Sequence, residues 1–275
     1  MSASLSVSVV SFSPDLEMLR ETLHTLAASL AHAQDAGSVG RAYVALVDNG
    51  PGEHYAAALR SLVRRELGAP IESQVLSGHG NVGYGRANNM VMLASSAEFH
   101  LVINPDVALS PDAIHEALRF MNANPDVVIL APEARDASGE LLYLCKRYPS
   151  VLALALRGFA PNFMKGILKG HLERYEIHDL PRDRPSKGIP LLSGSFMFCR
   201  RAPVAELGGY SEDFFLYFED YDLCLRAAAR GALAWVPAVR ITHHGGHAAR
   251  KGWGHVRLFM LSAVKFFNRH GWKWA

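Results

Sequence analysis

The apolar positions in the first half of the chain alternate between a strand period and a helix period. Residues 5–12 alternate apolar and small side chains and become fully apolar at Val9 and Val10, which predicts a central β-strand. The stretch 13–15 (Ser-Pro-Asp) then offers an N-cap, a proline for the first helical position and an early acid. Leucines follow at steps of three and four residues, which predicts one face of an amphipathic helix: Leu16, Leu19, Leu23, Leu26 and Leu30.

The same alternation continues to about residue 130. Apolar runs predict further strands at 42–47, 71–76, 99–103 and 127–130. Helical spacing predicts helices at 55–67, 84–97 and 111–121, the last one preceded by Ser110. Strands that alternate with helices in this way predict an α/β domain with a parallel sheet covered on both faces.

The second half of the chain is less regular. Residues 136–139 form a turn signal that predicts a hairpin, and 195–199 read as a buried strand followed by a short helix at 203–207. A helix is predicted at 219–230, with Gly231 at its C′ position. Residues 151–190 combine glycine, proline and charge with poor periodicity, and we expect a mobile insertion over the site.

Composition narrows the class of protein. The 275 residues suffice for one large or two small domains, and 49% hydrophobic with 20% charged residues is ordinary for a globular chain. With 28 Lys and Arg against 26 Asp and Glu, the balance argues against a nucleic-acid partner. The cysteines at 145, 199 and 224 form no CxxC pair, which favours buried free thiols in a reducing compartment.

The sequence also bears on location. The N-terminus lacks the basic region of a signal peptide, and no apolar run approaches the roughly 20 residues that span a bilayer. We therefore expect a cytoplasmic protein, with attachment to the inner face of the plasma membrane left open.

Two acidic loops follow predicted strands, at the sheet edge where ligands bind in open α/β folds. Asp106, in the turn Asn104-Pro105-Asp106, can hold Mg²⁺ or Mn²⁺, and the alternative is an Asx-type turn stiffened by proline. Asp48, followed by Asn49, can accept the imide N–H of a uracil or thymine ring. The alternative there is a simple turn, which the following Gly-Pro-Gly favours.

A third acidic group lies among aromatic residues. The run 217–222 places Glu219, Asp220 and Asp222 at a predicted helix start, after the apolar segment 214–218. Burial beside aromatic rings raises the pKa of a carboxyl, which suits a general base. The alternative is that acids favour helix N-termini because of the helix dipole.

Three histidines lie within five residues. His243, His244 and His247, followed by Arg250 and Lys251, are consistent with a metal ligand or a phosphate contact. The alternative is that they are structural residues, and the cluster does not show which histidine faces a site.

The run 78–83 matches the GxGxxG pattern of dinucleotide-binding folds. It follows the third predicted strand rather than the first, and the next acid, Glu98, comes too early for that fingerprint. The better hypothesis is a loop whose backbone approaches a ligand, with Asn81 and Asn88 supplying amide groups.

The order of these segments resembles the successive motifs of family-2 glycosyltransferases of the GT-A fold, from the first strand to about residue 248. Within that family it looks most like bacterial rhamnosyltransferases of surface polysaccharide synthesis. The segments that carry the resemblance lie at 9–13, 47–50, 81–85, 88–89, 104–106, 193–197, 208–212, 214–220 and 243.

The resemblance implies roles for individual residues. Phe12, Asp48 and Asn49 would border the nucleotide base and ribose, and Asn81, Gly83 and Asn88 would line the loop over the sugar nucleotide. Asp106 would be the metal-binding acid, with Asn104 where a strict DxD motif has its first aspartate. Asp220, with its neighbour Glu219, would be the catalytic base. His243 would approach the metal or diphosphate, with His244 as the alternative.

The implied activity is transfer of a sugar, with inversion, from a nucleotide diphosphate to a hydroxyl of a glycan or lipid-linked acceptor, assisted by Mg²⁺ or Mn²⁺. The first choice of donor is dTDP-rhamnose, and UDP- and GDP-linked sugars stay open. Residues 1–248 would form the GT-A domain, with 1–135 on the donor side and 136–248 on the acceptor and catalytic side.

Residues 249–275 form an amphipathic segment that mixes aromatic and basic side chains. It could contact a membrane surface, pack on its own domain or form a dimer contact. Two other functions remain as alternatives. A sugar nucleotidyltransferase would want a glycine-rich basic loop after the first strand, where this chain has Ser11-Phe12-Ser13-Pro14. A nucleotide- or carbohydrate-binding protein of the same fold would lack turnover.

Overall fold

Strands and helices alternate regularly up to residue 135 and less regularly beyond it. The computed structural model describes residues 2–50, 54–159, 169–245 and 252–275. Its strands are β1 (Ala3–Ser11), β2 (Val39–Asp48), β3 (Glu72–Leu76), β4 (Phe99–Ile103), β5 (Val107–Leu109), β6 (Val127–Arg135), β7 (Leu141–Leu142), β8 (Cys145–Lys146), β9 (Ser186–Lys187), β10 (Leu191–Leu192), β11 (Phe196–Arg200) and β12 (Ala232–His243). Its helices are α1 (Leu16–Asp35), α2 (His54–Glu66), α3 (Tyr84–Met92), α4 (Ala113–Ala123), α5 (Val151–Phe159), α6 (Lys169–Tyr175), α7 (Arg201–Glu206), α8 (Glu219–Ala227) and α9 (Gly252–His270).

One central sheet carries the fold, and its first half is parallel as predicted. Strand β1 lies between β2 and β4, parallel to both, and β3 extends the sheet beyond β2. Strand β11 then enters antiparallel between β4 and β6. Strand β12 runs parallel to β6 and antiparallel to β5. The mostly parallel α/β sheet is therefore confirmed, and its second half is mixed.

Helix α1 shows how the leucine spacing is used. Leu19, Leu23, Leu26 and Leu30 are fully buried against the sheet. Leu16 is 40% exposed, however, because the helix begins there. The N-cap is Asp15, whose carboxylate accepts bonds from the N–H groups of Glu17 and Met18, so the prediction of proline at the first helical position was wrong.

Two predicted helices end early. Helix α3 ends at Met92 rather than 97, and α8 ends at Ala227 rather than 230. Gly231 therefore does not cap α8. It is required for a different reason, since a Cβ there would lie 2.6 Å from the carbonyl oxygen of Asp126.

The predicted insertion at 151–190 contains regular structure. Helices α5 and α6 place Ala153, Leu154 and Tyr175 in a buried cluster. Residues 160–168 lie outside the described residues. The described parts of this region are thus packed elements, and the expected hairpin at 136–139 is present as the antiparallel pair β6 and β7.

Helix α9 packs on the rest of its own domain. Its buried side chains, Ala263, Phe266 and Phe267, join the cluster that holds Phe214 and Phe218. This is the internal contact that the sequence left as an alternative for the C-terminal segment. None of the helices in the described ranges is both long and apolar enough to cross a bilayer.

Candidate active site

The turn that carries Asp106 meets the end of the longest strand. Asp106 lies between β4 and β5, and β5 pairs with β12 so that Val107 is opposite His243. This register brings the Nε2 of His243 to 3.3 Å from the Oδ1 of Asp106. The backbone N–H of His244 also donates to the carbonyl of Asp106 at 3.0 Å. A carboxylate and an imidazole from distant parts of the chain thus converge.

The remaining histidines do not join this pair. The ring of His244 turns to Glu21 of α1, with Nε2 and Oε1 3.3 Å apart. His247, Arg250 and Lys251 lie outside the described residues, as does the domain boundary expected at 248. Gly245 packs against the Asp106 carboxylate so closely that any Cβ would overlap Oδ2. Of the two alternatives weighed from the sequence, the structure brings His243 to Asp106.

The segment before α8 reaches the site through strained backbone. Tyr217 and Phe218 adopt φ values of 69° and 65°, a left-handed conformation that is rare for bulky residues. The chain then enters α8 at Glu219, and the half-buried Asp220 follows. Its Oδ2 accepts the N–H of Gly194 at 2.8 Å, and its Oδ1 accepts the N–H of Tyr221 at 2.9 Å. Backbone donors therefore fix the orientation of this carboxylate.

Tyr84 joins the Asp106 side of the site to the Asp220 side. Its hydroxyl lies 2.8 Å from both Oδ1 of Asn104 and the carbonyl oxygen of Gly194, so it can donate to either. Burial raises the pKa of Tyr84 well above its ordinary value, and the negative charges of Glu219, Asp220 and Asp106 add to the rise. Asp106 and Asp220 thus both lie near this one phenol group.

Glu219 is the most enclosed acid of the group. It is 5% exposed, and its Oε2 has no hydrogen-bond partner within the described part of the chain. Burial, and next the charge of Asp220, raise the pKa of Glu219 to about 8. Near neutral pH the Glu219 carboxyl therefore holds its proton.

The residues expected to bind the nucleotide lie at the ends of β1 and β2. Phe12 follows β1 and is 57% exposed, an unusual position for a phenyl ring. Asp48 ends β2, is buried, and accepts the N–H of Gly50 through Oδ1. Asn49 donates from Nδ2 to the carbonyl of Gly83, and its Oδ1 lies 3.1 Å from Nε2 of His79. The end of β2 is thus tied to the loop 78–83.

That loop has the close backbone approach expected of it. Gly83 has a φ of 91°, and a Cβ there would lie 2.6 Å from the carbonyl oxygen of Phe215. Asn81 is exposed and accepts the N–H of Gly83 through Oδ1. The last glycine of the GxGxxG match therefore serves contact with the segment before Asp220.

Asn88 differs from the expectation that it lines the loop. Its side chain is fully buried beneath α3. Its Oδ1 accepts the hydroxyl of Ser8 at 2.6 Å, and its Nδ2 donates to the carbonyl of Tyr84 at 3.0 Å. In this position the amide anchors the first turn of α3, and with it Tyr84, to strand β1.

The acids and histidines bear on metal binding. Among the described residues, no group of three or more His, Cys, Asp or Glu side chains is placed to hold a metal ion. The pair Asp106 and His243 supplies two donors, which fits a cation that takes its other ligands from diphosphate oxygens and water. The amide oxygen of Asn104 is instead within reach of the Tyr84 hydroxyl. All three cysteines are buried, and burial raises the pKa of Cys145 and of Cys199 to about 12, so no reactive thiol lies there.

Sequence reasoning gave no role to Tyr84, Gly194 or Phe215. One signal was available for Tyr84, since an aromatic residue with a hydroxyl directly follows Gly83 at a helix start. Gly194 and Phe215 lie in the segments 193–197 and 214–220 that carry the resemblance, but their individual roles come from contacts with residues 26 and more than 100 positions away.

A family model described as Glycosyl transferase family 2 matches residues 6–208, about three quarters of the chain. The chain belongs to this family. Asp48, Asp106 and Tyr84 of this family 2 glycosyltransferase lie inside the matched range, and Asp220 and His243 follow it.

Two curated relatives are rhamnosyltransferases. The N-acetylglucosaminyl-diphospho-decaprenol L-rhamnosyltransferase of Mycobacterium tuberculosis is 30% identical over 207 residues, 70% of this chain and 66% of that protein. The chain thus spans just under two thirds of that relative's length. The rhamnosyltransferase WbbL of Escherichia coli K12 is 25% identical over 215 residues, 74% of this chain and 77% of that protein.

Solved structures show the fold. The mannosyltransferase PcManGT of Pyrobaculum calidifontis, in complex with GDP-Man and Mn²⁺, superposes with a TM-score of 0.63 at 14% identity, covering 98% of this chain and 66% of that one. GalNAc-T7 with UDP, GalNAc and Mn²⁺ gives 0.63 at 13% identity, covering 91% and 45%. The family 2 chain therefore has the GT-A fold.

Proposed function

We propose that this chain transfers L-rhamnose from dTDP-rhamnose to a hydroxyl group of a glycan or lipid-linked acceptor, with inversion at the anomeric carbon. The observation that carries the transfer is the convergence of Asp220, and of Asp106 with its partner His243, around the hydroxyl of Tyr84. The choice of rhamnose rests on the names of the two curated relatives.

Asp220 is the proposed general base. Its carboxylate is oriented by the N–H groups of Gly194 and Tyr221, and it is half-buried rather than enclosed. It would take the proton of the acceptor hydroxyl while the hydroxyl oxygen attacks the anomeric carbon and the bond to the diphosphate breaks. The neighbouring Glu219 holds its own proton near neutral pH, so it adds no negative charge beside Asp220.

Asp106 and His243 are the proposed ligands of Mg²⁺ or Mn²⁺. When bound, such a cation neutralises negative charge on a diphosphate leaving group. Two solved neighbours of the same fold contain Mn²⁺ together with a nucleotide or nucleotide sugar. Gly245 leaves room for the carboxylate of Asp106 beside the end of β12.

The donor side is assigned to residues 1–135 and the acceptor and catalytic side to 136–248. Phe12 offers an exposed ring for the base, and Asp48 with Asn49 lies at the adjoining strand end. We also propose that the protein works in the cytoplasm, where its buried cysteines stay reduced, next to the inner face of the plasma membrane.

The decisive experiment compares Asp220→Asn with the wild type. The chain is incubated with dTDP-rhamnose and Mn²⁺, and release of dTDP is measured with and without acceptor. Loss of a general base lowers turnover about 100- to 10,000-fold, while the thermal shift produced by dTDP should persist. Asp179→Asn, at an acid whose side chain is 72% exposed, is the matched control and should keep full turnover.

The possible outcomes separate the alternatives. Full turnover in Asp220→Asn would remove Asp220 from the mechanism. Binding of nucleotide without release of diphosphate from dTDP-, UDP- or GDP-linked sugars would favour a binding protein of this fold. A thermal-shift series over dTDP, UDP and GDP, each with and without Mn²⁺, identifies the base, because a ligand that binds only the native state raises its stability.

A further inference from the structure

The outward face of α9 is apolar where a surface helix is normally polar. Trp253 is 89% exposed, Leu261 52%, Met260 50% and Val264 44%. At 100° per residue these four positions fall on one arc of the helix, opposite the buried Phe266. The helix is therefore apolar on both faces, and only its inner face is covered by the rest of the domain.

The charged residues of α9 and of the tail all have one sign. No Asp or Glu follows Asp222 in the sequence, whereas nine Lys and Arg residues do, in a chain with a net charge of only +2. Arg257 lies on the same arc as Trp253 and Val264, and it is exposed. Neither Arg257 nor the exposed Lys273 forms an ion pair with an acid in the described ranges. The end of the chain is thus strongly cationic.

The C-terminal tail continues the same surface. Trp272 donates from Nε1 to Oδ1 of the exposed Asn268, and it stacks on Trp274 with ring centroids 5.3 Å apart. Trp274 is itself 68% exposed, and its carbonyl accepts the N–H of Leu152 in α5, which is 39% exposed. Backbone bonds hold this tail in place, so its tryptophans are presented on a fixed scaffold.

We propose that the outer face of α9, together with the tail tryptophans and Leu152, is a docking surface for an anionic lipid bilayer. Exposed tryptophan, leucine and methionine fit the interface between headgroups and acyl chains, and arginine and lysine fit anionic headgroups. A second copy of the chain fits poorly, because the same positive charges would meet. The stripe on α9 from Trp253 to Val264 is about 17 Å long and one helix, about 10 Å, wide, roughly 170 Å², well below the roughly 800 Å² per partner of a stable interface.

The docking surface lies on the side of α9 that faces away from the segment 214–218, which leads to Asp220. On the inner side of α9, the hydroxyl of Ser262 donates to the carbonyl of Leu216 at 2.7 Å, and Tyr217 contacts Nδ1 of His255 at 3.0 Å. A bilayer against the outer side would therefore hold the segment before Asp220 near the membrane. The lipid contact itself does not depend on the proposed transfer reaction.

Sedimentation with vesicles tests the surface without any nucleotide. The purified full chain is mixed with vesicles of phosphatidylcholine alone or of phosphatidylcholine with phosphatidylglycerol. We expect binding to the anionic vesicles that weakens at high salt, and little binding to the neutral ones. Arg257→Gln with Lys273→Gln should lower the affinity for anionic vesicles about thirtyfold. Arg60→Gln with Arg64→Gln, exposed positions on α2, should leave it unchanged.

An apolar pair of variants completes the test. Trp253→Ser with Leu261→Ser should lower vesicle binding about tenfold or more, whereas Leu93→Ser, at a leucine that is 44% exposed beside α3, should not. Circular dichroism and release of dTDP from the donor should stay as in the wild type for all of these variants. The proposal is overturned if the wild type ignores anionic vesicles, or if the control variants lose binding equally. It is also overturned if sedimentation velocity shows a dimer that Leu261→Ser dissociates.

Discussion

Glu219→Gln isolates the effect of a buried titratable group beside the proposed base. Glu219 is 5% exposed and its Oε2 has no hydrogen-bond partner in the described part of the chain. Glutamine keeps the shape of the side chain but cannot ionise. The variant therefore removes a proton equilibrium with little change in packing.

The expected change in the free energy of unfolding follows from the pKa shift of Glu219. Burial first, and then the charge of Asp220, raise the pKa of Glu219 from 4.5 to about 8. Between these two values the folded protein keeps a proton that the unfolded chain has lost, so the free energy of unfolding falls as pH rises. The slope is about 1.4 kcal/mol per pH unit, which makes the loss about 3 kcal/mol at pH 7 and about 4 kcal/mol at pH 8, where the slope begins to level off. Below pH 4.5 this loss of stability is absent, because Glu219 is then protonated in both the folded and the unfolded chain.

Urea unfolding at several pH values between 5 and 8 measures this slope. Subtracting the Glu219→Gln curve from the wild-type curve removes the other titrating groups, and the difference should fall steadily with pH. The cost of burying the glutamine amide does not depend on pH, so it changes the size of this difference at every pH equally and leaves its slope unchanged. Glu140→Gln, at an exposed acid in the turn before β7, should run parallel to the wild type. If the free energies of unfolding of the wild type and of Glu219→Gln changed with pH in parallel, the claim that Glu219 is neutral in the folded protein would be refuted.

Three further variants test other contacts of the site. Tyr84→Phe removes the hydroxyl shared by Asn104 and Gly194, and we expect kcat to fall about tenfold with the KM for donor nearly unchanged, measured by steady-state release of dTDP. Gly245→Ala forces the Asp106 carboxylate to move, so the Mn²⁺ concentration for half-maximal rate should rise about 10- to 100-fold, whereas Gly170→Ala, with open space around it, should not change it. Asp222→Asn leaves Arg226, Arg269 and His270 without their shared carboxylate, and urea unfolding should show a loss of about 3–5 kcal/mol.

The first half of the fold could be predicted because its signals are local. The buried leucines of α1 and the apolar strands each carry a period that a short window of sequence reveals. The ends of α3 and α8 could not be predicted as well, because their C-caps, Leu93 and Ala228, are residue types that also favour helix interiors.

Strand β12 escaped prediction for a physical reason. It contains Pro237 and the exposed Arg240, and its register with β6 shifts between Val236 and Arg240. The irregularity breaks the period-two pattern that marks a strand. The meeting of His243 with Asp106 depends on this strand, so the periodicity of the sequence could not pair them, and only the family resemblance implied that both lie near the metal.

Asn88 shows how the sequence can suggest a ligand contact where the structure has a buried structural residue. An amide beside a glycine-rich loop suggested a ligand contact, yet its side chain turns inward to Ser8 and to the carbonyl of Tyr84. His100 lies on the same buried chain of polar groups, 3.0 Å from Ser8, and burial lowers its pKa to about 3. Buried polar networks of this kind have no period, and they are visible only when the strands that carry them are paired.

The three acids at the start of α8 end in three different states because each faces a different neighbour. Glu219 turns into an enclosed space and keeps its proton, and Asp220 meets backbone N–H groups at the cleft. Burial alone would raise the pKa of Asp222, but the bonds from His270, Arg226 and Arg269 lower it overall. Two of those three partners belong to α9, the helix whose other face is proposed to meet the bilayer. A membrane contact that shifted α9 would therefore act on the helix that carries Asp220, which makes donor turnover with and without anionic vesicles a direct measure of coupling between the two faces.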